Sequence, residues 1–329
     1  MIKRLEITNF KSIRHLILEC RRVNLLIGEP NTGKSNILEA LGIFSSPYGR
    51  LENFVRFKSL SDLFHDENLN ENIEITADNR NLEIKFEDLK FKGECYEGER
   101  SLFSFEYSYE GGISFSHSEK DSPFKFYRFA VLREFPRREA GLLLPPSGEN
   151  LLSVLMSSKD LRKMVADIFK RYKLRVVLKP QENRIEVQKE VDDIIISYPY
   201  FLVSDTLQRV IFHLVAVEIN SDSIISFEEP EAHAFPYYTK FLAERIAMDS
   251  DNQYFITTHN PYFLLSVLEK APRDEIAIFV TYLEGYETKV KPLSDEDKRE
   301  ILESEMDAFF NIDRFIEDEE VREDDMCGV

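Results

Sequence analysis

The sequence has few cysteines, and their spacing does not suit cross-linking or metal binding. Cys20, Cys95 and Cys327 are far apart and form no CxxC pair. A disulfide framework needs an even set of cysteines, and a structural zinc site needs closely spaced ligands. Small disulfide-stapled and zinc-bound domains are therefore excluded, and we expect free thiols in a reducing compartment.

Positive charge is also scarce. The 329 residues include 42 lysines and arginines against 60 aspartates and glutamates, which gives a net charge of −18. The average surface therefore repels nucleic acid, and any contact with DNA needs a local basic patch. The candidate patches are two groups of basic residues, namely Arg133, Arg137 and Arg138, and Lys159, Arg162 and Lys163.

Long apolar runs are missing as well. No stretch is long enough to cross a bilayer, and residues 1–7 alternate like a strand instead of carrying the apolar segment of a signal peptide. We therefore expect a cytoplasmic protein with no membrane contact. Because 43% of the residues are hydrophobic, the chain can build a sizeable core, and its length predicts one globular unit with lobes.

One stretch organises the rest of the chain. Residues 28–35 read GEPNTGKS, which fits the phosphate-binding template of glycine, four free positions, glycine, lysine and serine or threonine. An apolar run at 23–27 predicts a buried strand before the loop, and the pattern at 36–41 predicts a helix after it. The strand, loop and helix that a phosphate site requires are all present.

Each position of this loop has a chemical reason. Gly28 and Gly33 let the backbone turn tightly and approach anionic oxygens, and successive N–H groups can then surround phosphates at the helix N-terminus. Lys34 would reach the β- and γ-phosphates of ATP and act in catalysis, and the Ser35 hydroxyl would bind Mg²⁺. The predicted nucleotide-binding residues of the loop are Gly28, Asn31, Thr32, Gly33, Lys34, Ser35 and Asn36.

A second constellation lies near residue 228. The apolar run at 224–227 ends in Glu228 and Glu229. We expect Glu228 to bind Mg²⁺ and Glu229 to accept a proton from the attacking water. His259 follows another apolar run, at 253–257, and the carboxyl ends of parallel strands converge on ligands, so His259 is predicted to contact the γ-phosphate or the water.

Two further segments have alternative interpretations. The turn containing Lys11 and Ser12 either faces the nucleotide or is a plain hairpin turn. The helix that begins near Ser204 and Asp205 either has an ordinary N-terminal cap or presents the Ser204 hydroxyl to the γ-phosphate held by a second subunit.

The pattern of elements predicts an α/β fold of the P-loop NTPase type. After residue 204, helices alternate with buried strands, which predicts a parallel sheet. Alternating runs before residue 120 predict an antiparallel lobe. Its strands are expected at 73–76, 82–86, 102–109 and 113–117, with a turn at Glu110, Gly111 and Gly112, and two helices are expected at 150–157 and 160–172.

Taken together, the motifs resemble those of a known family. They are NFKSI at 9–13, GEPNTGKSN at 28–36, VSDTLQR at 203–209, IISFEEPEAH at 224–233 and TTHNPYFL at 257–264. Their order resembles that of ABC-type ATPase heads of the SMC and RecF branch, and most closely the ATPase domain of OLD-like AAA proteins. The resemblance implies a homodimer that sandwiches two ATP molecules with Mg²⁺. Each site would take Ser204, Asp205 and Thr206 from the second subunit.

The chain departs from that family at three places. Asp205 and Thr206 stand where the signature usually has glycines, which predicts a weaker contact across the dimer. Glu228 replaces the usual aspartate. No glutamine occupies the usual glutamine loop, and His65 or Asp66 is the expected replacement.

The resemblance also sets the expected organisation and function. No long coiled coil and no Toprim nuclease is apparent, so residues 1–329 are predicted to form a single head. Its parts are a β lobe at 1–46, an insert at 47–200, an α/β half at 201–312 and an acidic tail at 313–329. We expect a dimeric ATPase coupled to a separately encoded effector, such as a nuclease or toxin. The alternatives are a RecF-like DNA-binding ATPase and a nucleotide-locked scaffold with little turnover.

Overall fold

The fold is taken from a computed structural model, which describes residues 1–108, 112–118, 121–303, 309 and 311–316. The predicted turn at Glu110 and Gly111, Cys327 and most of the acidic tail lie outside the described residues. Among the helices that are described, none is both long and apolar enough to span a membrane.

The described part of the chain forms strands and helices at the following positions. The strands are β1 (Arg4–Phe10), β2 (Ile13–Glu19), β3 (Val23–Gly28), β4 (Ile73–Ala77), β5 (Arg80–Glu87), β6 (Lys90–Glu97), β7 (Arg100–Ser108), β8 (Ile113–His117), β9 (Phe124–Tyr127), β10 (Arg175–Lys179), β11 (Arg184–Val191), β12 (Ile194–Pro199), β13 (Ile224–Glu228), β14 (Gln253–Thr257), β15 (Ile276–Glu284) and β16 (Glu287–Pro292). The α-helices are α1 (Lys34–Ile43), α2 (Leu151–Ser157), α3 (Lys159–Lys170), α4 (Asp205–Ile219), α5 (Pro236–Met248), α6 (Pro261–Lys270), α7 (Asp295–Glu303) and α8 (Ile312–Ile316).

The predicted parallel sheet is present and carries the centre of the fold. Its six strands have the order β16-β15-β3-β14-β13-β9, and every neighbouring pair except β15 and β16 is parallel. β3 is buried on both faces, with Val23 and Leu25 in one apolar cluster and Leu26 in the other. Because both faces of these strands are covered, they read as continuous apolar runs in the sequence.

The predicted antiparallel lobe is a seven-stranded sheet of order β2-β1-β4-β5-β6-β7-β8. Residues of this sheet share an apolar cluster with Ile37, Leu38 and Leu41 of α1, so α1 packs between the two large sheets. The structure adds β6, which the sequence interpretation omitted. Gly93 interrupts its apolar pattern because the ring of Phe105 lies where a side chain would be.

The remaining sheet is small and lies just before the signature helix in sequence. Strands β10, β11 and β12 form an antiparallel meander. Ile194 and Ile195 of β12 are 64% and 60% exposed. The meander therefore leaves apolar side chains on the surface of the head.

Three elements differ from the sequence interpretation. The sequence predicts a strand at 126–132, but β9 ends at Tyr127, because Arg128 leaves the sheet and its backbone N–H donates to the Pro146 carbonyl. The structure also adds the strand β16 after β15, and the helix α7, which the sequence interpretation omitted. The turn between β15 and β16 places Tyr286 beside the phosphate loop.

Candidate functional site

The phosphate loop joins β3 to α1 and depends on its two glycines. Gly28 has a φ of 151° and Gly33 a φ of 92°, which side chains rarely allow. A Cβ on Gly28 would lie 2.4 Å from the Thr281 carbonyl oxygen, and one on Gly33 would lie 1.9 Å from Thr288 Oγ1. The hairpin of β15 and β16 therefore packs directly on the loop and excludes larger residues at both positions.

Lys34 is folded back onto this loop. Its ammonium donates hydrogen bonds to the carbonyl oxygens of Gly28 (2.8 Å) and Glu29 (2.6 Å). Burial lowers the pKa of Lys34 to about 8, although the negative charges of Glu229 and Glu29 oppose the shift. The ammonium therefore still carries its charge at neutral pH and loses it as the pH rises through about 8.

A cavity of about 540 Å³ opens over the loop at the carboxyl ends of the parallel strands. Arg56, Leu283 and Tyr286 border it, and the sequence interpretation did not include them. The cavity brings together nine of the predicted site residues, which are Ser12, Asn31, Thr32, Gly33, Lys34, Ser35, Asn36, Glu229 and His259.

The side chains of Glu229 and His259 lie next to each other at the cavity. His259 Nε2 lies 3.4 Å from Glu229 Oε1, and both side chains are partly exposed. Glu229 has a left-handed φ of 43°, and its N–H bonds to the Thr257 carbonyl at 3.1 Å. Burial and the nearby charge of Lys34 lower the pKa of His259, against the pull of Glu229, so the imidazole is neutral at physiological pH.

Glu228 lies next to Ser35. The pKa of Glu228 is lowered: burial opposes the shift, but a hydrogen bond with Ser35 and the charges of Arg128 and Arg56 outweigh it. A serine hydroxyl and an ionised carboxylate side by side are hard oxygen donors of the kind that Mg²⁺ prefers. The residues present therefore fit the predicted metal position.

Lys11 takes a different position from the one expected. Its ammonium bonds to the Glu39 carboxylate and, at 2.7 Å, to the Arg56 carbonyl, instead of bordering the cavity. Ser12 from the same turn does border it and accepts a hydrogen bond from Asn36 at 2.7 Å. The turn therefore borders the cavity through Ser12, while the Lys11 ammonium lies against Glu39 of α1.

Neither His65 nor Asp66 borders the cavity. His65 Nδ1 is 2.8 Å from the Lys11 carbonyl oxygen, and the Asp66 side chain is exposed. Arg56 does border the cavity, and its Nη2 lies 2.9 Å from Glu228 Oε1.

The signature lies outside the cavity. Ser204 is the N-cap residue of α4, where its carbonyl oxygen accepts hydrogen bonds from the N–H groups of Leu207 and Gln208, but its hydroxyl makes no capping bond. Thr206 donates to the His233 carbonyl at 2.7 Å, and Asp205 pairs with Arg209 at 3.6 Å. Ser204 and Thr206 border a separate, mainly apolar groove of about 690 Å³.

The loop after β13 connects the cavity with the signature. Glu231 is buried, and its Oε1 accepts hydrogen bonds from Thr258 Oγ1 (2.5 Å) and from the His259 N–H (3.3 Å). Its Oε2 is buried without a hydrogen-bond partner. Burial and the charge of Glu229 raise the pKa of Glu231 to about 7, although the bond from Thr258 opposes the shift.

Comparison with known proteins gives a matching family and similar solved structures. Residues 1–196 match the family described as the AAA ATPase domain, whereas no curated protein sequence matches the chain. Among solved structures, an Smc head bound to the C-winged helix domain of ScpA is similar, with 15% identity and a TM-score of 0.54 over 90% of this chain and 98% of that one. An Smc head with an extended coiled coil, bound to the C-terminal domain of ScpA derived from Pyrococcus furiosus, gives 14% identity and a TM-score of 0.52 over 92% and 99%.

The match to the family covers more than half of the 329 residues, and the two Smc heads have a similar fold over 90% and 92% of this chain. The expected P-loop NTPase fold is therefore confirmed, while the finer likeness to OLD-like proteins stays a prediction. The chain belongs to the AAA ATPase domain family, and it is an ATPase with the fold of an SMC head.

Proposed function

We propose that this ATPase is Mg²⁺-dependent, closes as a homodimer around ATP and transmits that closure to a separately encoded effector. The observation that carries the proposal is that the predicted site residues lie in two separate depressions. The phosphate loop, Glu229 and His259 share one cavity, whereas Ser204 and Thr206 border another groove. A second copy would complete the site by bringing its signature to this cavity.

The residues of the cavity can divide the work of hydrolysis among them. Glu229 would accept the proton of the attacking water, and His259 at 3.4 Å would hold the water or the γ-phosphate with a neutral imidazole. The Lys34 ammonium would replace its hydrogen bonds to the Gly28 and Glu29 carbonyl oxygens with hydrogen bonds to phosphate oxygens. Ser35 and Glu228 would hold Mg²⁺, which supplies charge neutralisation on the phosphates when bound.

The surface around the signature suits a subunit contact. Leu202 and Phe235 border the groove and are 66% and 67% exposed. Apolar side chains exposed together are typical of protein interfaces. The two Smc heads described above are each bound to a domain of ScpA. That precedent supports a partner protein for this head as well, and the effector would be such a partner.

Light scattering tests the dimer. We expect purified Glu229→Gln to be monomeric alone or with ADP and dimeric with ATP, because the variant binds nucleotide without consuming it. Lys34→Ala is the matched control and should stay monomeric in every condition. A monomer in the presence of saturating ATP and Mg²⁺ contradicts the proposal.

Effector coupling needs its own test. Glu229→Gln carrying an affinity tag is purified from cells with ATP, and again after exchange into ADP. We expect one stoichiometric partner that is retained with ATP and released with ADP. Partners that are identical in both states, or absent in both, reject the coupling.

DNA binding is the second candidate, and one observation favours it. A depression of about 500 Å³ is bordered by Lys170, Lys173, Arg175 and Lys189 and by one acidic residue, Glu190. Most of the arginines proposed from the sequence have other partners, since Arg137 pairs with Glu139, Arg138 with Asn183, and Arg162 with backbone carbonyls. Phosphate contacts would make DNA affinity fall steeply with salt, and salt-insensitive or absent binding removes this candidate.

A further inference from the structure

A buried carboxylate beside the cavity has no part in the function described so far. Glu39 lies on α1, four residues after Ser35, and its side chain is fully buried. It accepts hydrogen bonds from Lys11, from Arg56 Nε (2.6 Å) and from Arg128 Nη2 (3.2 Å). Three segments that are far apart in sequence therefore meet on one carboxylate.

Two of these cations also hold Glu228. Arg56 Nη2 lies 2.9 Å from Glu228 Oε1, and Arg128 Nε lies 3.0 Å from Glu228 Oε2. Each guanidinium thus bridges Glu39 and the predicted metal ligand. The planar fork of arginine suits such double contacts, which fix both partners in direction as well as distance.

The charges of the cluster do not cancel. Lys11, Arg56 and Arg128 bring three positive charges against the two negative charges of Glu39 and Glu228, which leaves +1. Arg56 is the member of the cluster that borders the cavity, and its side chain is 57% exposed. Glu39 therefore controls how much of the guanidinium charge falls on Glu228 and how much is left for a phosphate.

We propose that Glu39 is a positioning residue that shares the guanidiniums of Arg56 and Arg128 with Glu228 and so keeps Glu228 available to Mg²⁺. The inference rests on the proposed function, because it assumes that the metal is held by Ser35 and Glu228. With Glu39 neutral, both guanidiniums would turn fully to Glu228 and compete with the metal. The net charge of the cluster would also rise from +1 to +2.

This charge change predicts opposite effects on metal and nucleotide. Nucleotide affinity is measured while Mg²⁺ is added, and the Mg²⁺ concentration that produces half of the increase in affinity is compared between variants. In Glu39→Gln this concentration should rise about tenfold, because one more positive charge lies close to the metal. Affinity for a fluorescent ATP analogue in EDTA should hold or increase, because the same charge attracts the triphosphate. A merely structural defect would weaken both.

The experiment measures binding by fluorescence, in the Glu229→Gln background so that no turnover occurs. Glu275→Gln is the matched control, since Glu275 pairs at 2.5 Å with Arg22, a buried arginine, and does not border the cavity. We expect the half-maximal Mg²⁺ concentration of this control to equal that of the Glu229→Gln protein. If Glu39→Gln matches this control, the inference is overturned.

A variant that keeps the charge guards against misfolding, since removing one partner of a buried ion pair is strongly destabilising. Glu39→Asp keeps the cluster at +1, so its half-maximal Mg²⁺ concentration should shift by less than threefold. If Glu39→Gln does not fold, a tenfold shift in Glu39→Asp overturns the inference. The proposed function fails separately, if Lys34→Ala binds the analogue as tightly as the Glu229→Gln protein.

Discussion

The cavity over the phosphate loop and the groove beside the signature are built differently. Nine predicted residues meet at the cavity within one chain, around a polar wall that contains Lys34, Glu229 and His259. The groove is bordered mainly by apolar side chains, including the exposed Leu202 and Phe235. A polar pocket suits a small anion, whereas a contiguous apolar groove on the surface is typical of a contact with another protein. Under the proposed function, nucleotide binding therefore belongs to one chain and completion of the site to two.

The largest expected effect separates chemistry from binding within the cavity. Glu229→Gln keeps the size of the side chain but cannot accept a proton, so turnover should fall by about two to four orders of magnitude. Nucleotide affinity should stay within a few-fold, because the phosphate loop is unchanged. Phosphate release and equilibrium binding measure the two quantities. Unchanged turnover would remove Glu229 from the mechanism.

The next effect tests the loop that joins cavity and signature. The pKa of Glu231 is raised from 4.5 to about 7, mainly by burial. The folded protein therefore keeps a proton that the unfolded chain loses near pH 4.5. The stability linked to Glu231 is complete below pH 4.5 and is lost as the pH rises through 7, in total about 3 kcal/mol. Denaturant unfolding at pH 5 and pH 8 measures it.

Glu231→Gln supplies the comparison for that measurement. The amide keeps an oxygen for Thr258 and His259 but does not titrate. The loss of unfolding free energy between pH 5 and pH 8 should therefore be smaller in the variant by most of those 3 kcal/mol. Equal losses in both proteins would show that Glu231 is not protonated in the fold.

A smaller effect concerns Lys34. Burial lowers the pKa of Lys34 to about 8. A triphosphate binds the charged ammonium, and the charged fraction drops about tenfold between pH 7 and pH 9, so nucleotide affinity should fall by about the same factor. Calorimetric titration at both pH values measures the change. Lys34→Ala should bind weakly with little dependence on pH, and a strong dependence there would assign the titration to another group.

The smallest expected effect tests the groove. Phe235→Ser removes one exposed ring from the proposed interface, which should weaken ATP-induced dimerisation by about 1 kcal/mol, or roughly fivefold. Nucleotide binding by the monomer should not change. Met248→Ser is the control, because Met248 is 71% exposed at the end of α5 and does not border the groove. Equal dimerisation of both variants would place the interface elsewhere.

Sequence reasoning identified the residues whose chemistry depends on local spacing. The template at 28–35 predicted a strand, a loop and a helix, and the structure has β3, the loop and α1 in those places. Glu229 and His259 were found because each follows a buried strand, and such strand ends meet at one edge of a parallel sheet. In these cases the sequence of a short segment is enough to determine its local geometry.

The cluster around Glu39 was missed for the opposite reason. A signal was present, because Glu39 interrupts the apolar run from Ile37 to Leu41 on a helix that must be buried. Its partners Arg56 and Arg128 lie in irregular segments with no motif, so nothing in their local sequence indicates that they pair with Glu39. Similarly, β16 and its Tyr286 turn gave no strong pattern, because this edge strand is only partly buried.

The sequence by itself determined the nucleotide cradle, since glycine, lysine and serine at fixed spacing act through backbone geometry within eight residues. Only the tertiary structure decided which cations lie close to the phosphate loop. It also decided that the signature borders a separate groove. Charge pairing and surface burial depend on distances between segments that are far apart in sequence, such as those of Arg22 and Glu275, whose side chains pair across 253 positions of the chain. Those distances are set by how the two large sheets and α1 pack, and no local pattern encodes them.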